Sequence, residues 1–228
     1  MREPAALPRP ARWTRAILAC GVIGPVVFWA LGAVVAATWP GYDVMTDSIS
    51  SMVHAPLGWL QVLAFAIGAP LTLAWAVGAG RVIGATPRDR TVVRAVFTVQ
   101  AAIALAFALF PTDATGAQQT LVGGLHLATF FVYAVATPVS LGLVGRVFGR
   151  DPAWRPASRP TAASAVLMVV ATLLVPVTLA GPLEAWLGLL ERIYVAIPGA
   201  WQLAVALRAL RLAATHPPPR PVTRGSPR

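Results

Sequence analysis

The chain has no lysine, a single cysteine and only eight acidic residues among its 228. With lysine missing, every permanently charged basic side chain is an arginine, which reads as codon bias rather than chemistry. One cysteine, Cys20, excludes an intramolecular disulfide. It does not mark a lipid attachment either. Ile17-Leu18-Ala19-Cys20 looks superficially like a lipoprotein cleavage box, but the apolar run follows the cysteine instead of preceding it. Cys20 reads as a small packing residue. Charged residues make up 11% of the chain, against roughly 25% in soluble domains, so water is not the main solvent of this polypeptide. No internal repeat points to an inverted-repeat transporter.

What the chain has in quantity is apolar sequence, 57% of the residues. It falls into six runs at about 17–39, 59–80, 92–110, 121–147, 161–180 and 186–207, each near the ~20 residues that cross a bilayer as a helix. The expected fold class is all-α: a polytopic integral membrane protein, one bundle of six transmembrane helices in a membrane domain over 17–211. Residues 1–16 form a cytoplasmic arm. Residues 212–228, Pro- and Arg-rich, are expected to be a disordered tail. The first run exceeds the 7–15 residues of a cleavable signal core and reads as a retained anchor. Pro25, Pro70, Pro138, Pro176 and Pro198 fall inside runs, which implies kinked spans whose freed carbonyls are satisfied by neighbouring helices.

All but one of the eighteen arginines lie in four places: the N-terminal arm, the second and fourth connections, and the C-terminal end. That alternation is the positive-inside pattern. It places both termini in the cytoplasm of a bacterial plasma membrane. It also explains the net charge of +10 through topology and anionic lipid, so membrane lipids are the expected partners and nucleic acid is not. Trp39, Trp59 and Trp186 at outer span ends and Trp13 and Trp154 at inner ones match an aromatic belt.

The external connections 40–58, 111–120 and 181–185 then hold most groups able to do chemistry. Pro40-Gly41-Tyr42-Asp43 is turn sequence. Asp47 is placed to cap a short helix, and Ile49, Met52 and Val53 at 3–4 spacing suit a helix lying on the bilayer surface. Asp113 follows Phe110-Pro111-Thr112 at the end of the third span. His126 lies inside the fourth, where a polar group is expected to face the bundle interior. Glu191 and Arg192 open the sixth. Neighbours on a helix do not face each other, so Arg192, the lone external arginine, is expected to pair with Asp113 or Asp47. The candidate site is a polar cluster of Asp47, Asp113, His126, Glu191 and Arg192, with Asp43, Ser48, Ser50 and His54 as loop contributors. There is no His-x-x-x-His or Cys-x-x-Cys spacing and no Gly-x-Ser-x-Gly elbow. No metal, cofactor or catalytic residue is therefore assigned. Gln100, Thr137 and Gln202 read as isolated polar points within spans, which argues against a continuous polar path.

Pro40-Gly41-Tyr42-Asp43, Asp47-Ser48-Ile49-Ser50, Gly58-Trp59-Leu60-Gln61, Phe110-Pro111-Thr112-Asp113, His126 and Glu191-Arg192-Ile193, in that order, resemble the bacterial and archaeal membrane family catalogued as domain of unknown function 998. The resemblance spans about 19–211. Where the family often has an acid after the first-loop serine, this chain has Ser51. The resemblance implies six helices in a plasma membrane and no particular activity. The leading expectation is a non-enzymatic protein that binds a lipid headgroup or small ligand from the outer leaflet, in envelope maintenance or sensing, with Arg192 holding an anionic group. The alternatives are a membrane-embedded lipid hydrolase, metal-dependent or with His126 as base, and a small transporter.

Overall fold

The computed structural model describes residues 12–179, 181 and 183–215. Six long helices account for most of them: α1 (Arg12–Thr38), α2 (Trp59–Val82), α3 (Pro87–Leu109), α4 (Leu121–Arg150), α5 (Arg155–Leu179) and α6 (Leu187–Thr215). There is no strand among the described residues. All six helices are long and apolar enough to cross a membrane. The tail expected over 212–228 falls partly on α6, which continues through 212–215. The remainder of that tail and residues 1–11 of the arm lie outside the described residues. The helices run on through Pro25, Pro70, Pro138 and Pro198.

Burial is distributed as lipid demands. Leu121, Leu173 and Val135 are 80%, 68% and 65% exposed, a waste of apolar surface in water but not against acyl chains. Each helix packs on its neighbours in sequence, and α6 returns to α1 to close a ring. One end of this multi-pass bundle carries the α2–α3 and α4–α5 connections and most arginines. The other end is covered by the α1–α2 connection.

At the arginine-rich end the helices outrun their apolar cores, so Arg88, Arg90, Arg94, Arg155 and Arg159 project from helical turns. Thr86 starts α3 with a reciprocal capping box to Asp89, and Pro87 occupies the first turn, where its missing N–H costs nothing. Asp89 meets Arg150 at 3.3 Å, with the Arg150 side chain 67% exposed. Asp89 itself is buried, 4% exposed, so Arg150 and the Thr86 hydroxyl together satisfy its carboxylate.

Trp154 corrects an expectation. It is not an interfacial anchor but a core residue, 1% exposed. Its ring stacks on Phe148 at 4.9 Å, its indole N–H donates to the Val82 carbonyl at 3.3 Å, and the Arg208 guanidinium lies over its face. By contrast Trp13 and Trp59 are exposed, as belt residues should be.

Candidate functional site

The α1–α2 connection is a folded cap. Pro40-Gly41 makes the predicted turn: Gly41 adopts φ 80° and the Tyr42 N–H bonds to the Trp39 carbonyl at 3.2 Å, the type II pattern that needs glycine at its third residue. Asp43 accepts the Met45 N–H, and the Asp47 carboxylate accepts the Asp43 N–H, both at 2.8 Å. Asp47 therefore folds back on the turn instead of capping a helix. It is Ser48 whose hydroxyl accepts the Ser51 N–H, at 3.0 Å. The next segment is one 3-10 turn, Ser50–His54, and its apolar side faces the bundle rather than outward. Ile49 and Met52 are each 4% exposed and pack inward on Val35, with Phe28, Trp29 and Leu60 around them. Their 3–4 spacing marked an apolar face correctly, but the apolar surface that covers it is the bundle itself.

The expected partner of Arg192 is also corrected. No carboxylate lies within ion-pair distance of it among the described residues. Its guanidinium donates to the main-chain carbonyls of Val44 (3.0 Å), Asp47 (2.9 Å) and Gly188 (2.7 Å) and to the Tyr42 hydroxyl, with the Tyr42 ring beneath it. The Tyr42 hydroxyl donates its own proton to the Ser48 carbonyl at 3.1 Å, and burial pushes the phenol above its ordinary range despite the cation beside it. Glu191, one residue earlier, reaches the same cap with the opposite polarity. Its carboxylate accepts the Ile49 N–H at 2.6 Å and the Ser50 hydroxyl at 3.1 Å. Gly188 completes the junction. A Cβ there would collide with the carbonyls of Val44 and Asp47, so only glycine lets α6 approach the cap this closely.

Asp113, His54 and His126 form a second group. The Asp113 carboxylate accepts the N–H and hydroxyl of Thr120 at 2.8 and 2.7 Å. The backbone donor first, then the hydroxyl, hold it below the usual carboxylate range. Thr120 in turn caps α4 through the Gly123 N–H. His54, exposed, bonds the Thr112 carbonyl at 3.0 Å. His126 bonds the Phe110 carbonyl through Nδ1 at 2.8 Å. A carbonyl only accepts, so Nδ1 carries the proton and the neutral ring keeps Nε2 as an acceptor. The five-residue cluster thus divides in three. Asp47 and Arg192 belong to the cap, Asp113 belongs to the α3–α4 turn, and only Glu191 and His126 share a common space.

That space is a cavity of about 210 Å³ inside the bundle, walled by α1, α2, α3, α4, α6 and the cap residues Ile49 and Ser50. Among the described residues none of its lining comes from α5. At the cap end it meets Ser50, His126 and Glu191. Deeper in, it meets Gln100, Thr137, Ser140 and Gln202. From Glu191 to Gln202 along α6 is about 16 Å, so the polar groups sit at two levels of one elongated chamber. The deep polar residues are not isolated: the Gln100 amide donates to Ser140 at 3.2 Å and Thr137 at 3.5 Å, bridging α3 to α4.

Between the two levels runs an arc of aromatic rings. Phe28 of α1 meets Phe65 of α2 at 5.3 Å, Phe65 meets Phe107 of α3 at 5.3 Å, Phe107 meets Tyr133 of α4 at 6.1 Å, and Tyr133 meets Tyr194 of α6 at 5.5 Å. Outside the lining, against Gly32 of α1, Gln61 is fully buried with neither amide atom partnered among the described residues. The clue to this site in sequence was polar and aromatic residues within apolar runs, but their convergence depends on helix rotation.

No curated protein and no solved structure matches the chain. The family model described as protein of unknown function (DUF998) matches residues 22–208, nearly all of the six-helix bundle, and the chain belongs to that family.

Proposed function

We propose that this membrane protein binds a small amphipathic molecule inside its bundle, beneath the α1–α2 cap, and that it is a binding component rather than an enzyme. The observation that carries this reading is the elongated cavity, largely apolar and aromatic with a few hydrogen-bonding groups at each level, the composition of a small-molecule site. The positive-inside pattern orients the cap toward the outside, so the molecule is taken from the outer leaflet.

Arg192 is not the group that holds it, because it does not line the cavity and its Nη atoms donate to Tyr42 and to the carbonyls of Val44, Asp47 and Gly188. The hydrolase reading has less behind it. Among the described residues no three His, Cys, Asp or Glu side chains converge as metal ligands.

Native mass spectrometry of the protein extracted in a neutral detergent tests the reading. The expected result is a non-covalent adduct in the wild type that is lost in Gly68→Leu. Gly68 lines the cavity and a Cβ there enters open space, so leucine fills the chamber. A wild type free of any adduct, or an adduct unaffected by Gly68→Leu, overturns it. Orientation is tested by Thr46→Cys in a Cys20→Ser background. Thr46 is exposed, and an impermeant maleimide should label it in intact cells.

A further inference from the structure

We infer that the cavity selects an organic cation, an amphiphile whose head is a protonated or quaternary amine, over neutral or anionic molecules of the same shape. The inference rests on the cavity reading above and adds the charge of the occupant.

Three features of the wall point this way. First, its one acidic side chain, Glu191, is not matched by a cation: no Arg is among the lining residues, and the chain has no Lys. Arg192, the nearest candidate by sequence, turns its donors to the cap carbonyls and Tyr42. A phosphate or carboxylate head would therefore enter the chamber beside a carboxylate and with no charged donor, which low-dielectric surroundings penalise. Second, Glu191 accepts two hydrogen bonds, from Ile49 and Ser50. A carboxylate has about four acceptor positions, so capacity remains for a donor from below. His126 keeps Nε2 as a further acceptor.

Third, the rings of Phe28, Phe65, Phe107, Tyr133 and Tyr194 follow one another around the chamber. Tyr194 lies one turn along α6 from Glu191, and Phe130 packs on it at 5.7 Å. Aromatic faces attract a cation through their quadrupole, most strongly where water is excluded, and rings around a carboxylate are the chemistry that recognises quaternary ammonium. An apolar tail then extends toward Gln100 and Trp201.

The test is a tryptophan-fluorescence titration at neutral pH in a maltoside detergent, with Trp29 and Trp201 in the wall as reporters. The probes are decyltrimethylammonium, decanol and decanoate, which share one chain and differ in head charge. Wild type should bind the ammonium probe at least about tenfold more tightly than decanol, with decanoate weakest. Glu191→Gln should bring the ammonium probe to within about twofold of decanol while decanol binding stays. Gly68→Leu should abolish all three signals.

Equal affinity for the ammonium probe and decanol in the wild type overturns the charge inference and leaves the cavity reading intact, provided Gly68→Leu blocks both. Retention of the preference in Glu191→Gln likewise overturns it. If no probe binds, or Gly68→Leu changes nothing, the cavity reading fails with it.

Discussion

Replacing Arg192 by methionine keeps a long apolar stem and removes the guanidinium fork, so it isolates what that fork holds. Four acceptors lose a donor: the carbonyls of Val44, Asp47 and Gly188 and the Tyr42 hydroxyl. A hydrogen bond to a charged group is worth about 1.5–3 kcal/mol. The four contacts share one side chain, and the freed carbonyls are only partly buried, so the sum is not additive and about 3 kcal/mol is the appropriate figure. At about 1.4 kcal/mol per factor of ten, the cap should detach about a hundredfold more often. Hydrogen exchange of the purified protein reads this directly, because opening of the cap frees the amides of Asp47 and Ile49, now bonded to the Asp43 carbonyl and to Glu191. Peptides covering 42–50 should exchange about two orders of magnitude faster, while those from α2 and α3 at the arginine-rich end stay as they were. Arg150→Met, at that far end, serves as the control and should leave 42–50 unchanged. Exchange over 42–50 within about twofold of wild type in Arg192→Met would refute the reasoning.

Gly188→Val should open the same cap, since its side chain meets the carbonyls of Val44 and Asp47; faster exchange over 42–50 checks it. Trp154→Ala removes a fully packed ring and its bond to Val82 and should cost about 3–5 kcal/mol, seen as a large drop in thermal stability in detergent. Gln100→Leu removes the bridge to Ser140 and Thr137 but leaves hydroxyls able to bond their own helix; a loss near ~1 kcal/mol is expected by the same measurement. Asp113 is held below the usual carboxylate range by Thr120. Its contribution is therefore present above the unfolded value of about 4 and lost as pH falls through the lower folded value. Melting curves should show Asp113→Asn destabilised at neutral pH, with the gap from wild type closing in acid.

The six spans were legible because a bilayer forces each to satisfy its own backbone and be apolar over its length. The turn at Pro111 and a backbone partner for His126 follow from local rules for helix ends and buried polar groups. The partners of Arg192 were not legible. Main-chain carbonyls leave no mark in the residue alphabet, so a search for its counter-charge could only return Asp47 and Asp113. Gln100, Thr137 and Ser140 meet through the rotation of α3 against α4, which a nearly uniform apolar surface does not reveal. The same rotation decides which aromatic rings face inward and which face lipid. Ile49 and Met52 show the ambiguity most plainly: one apolar stripe fits a membrane surface and a protein interior equally well.

Glu191 and Arg192 grip the cap through its peptide groups, one taking an amide hydrogen and the other carbonyl oxygens. Such a clasp is blind to what Val44 carries beyond its Cα, so that position is open to rewriting without loosening it, whereas the Asp47 carboxylate also holds the Asp43 N–H. At position 49 the same clasp forbids only proline, which has no amide hydrogen for Glu191 to accept.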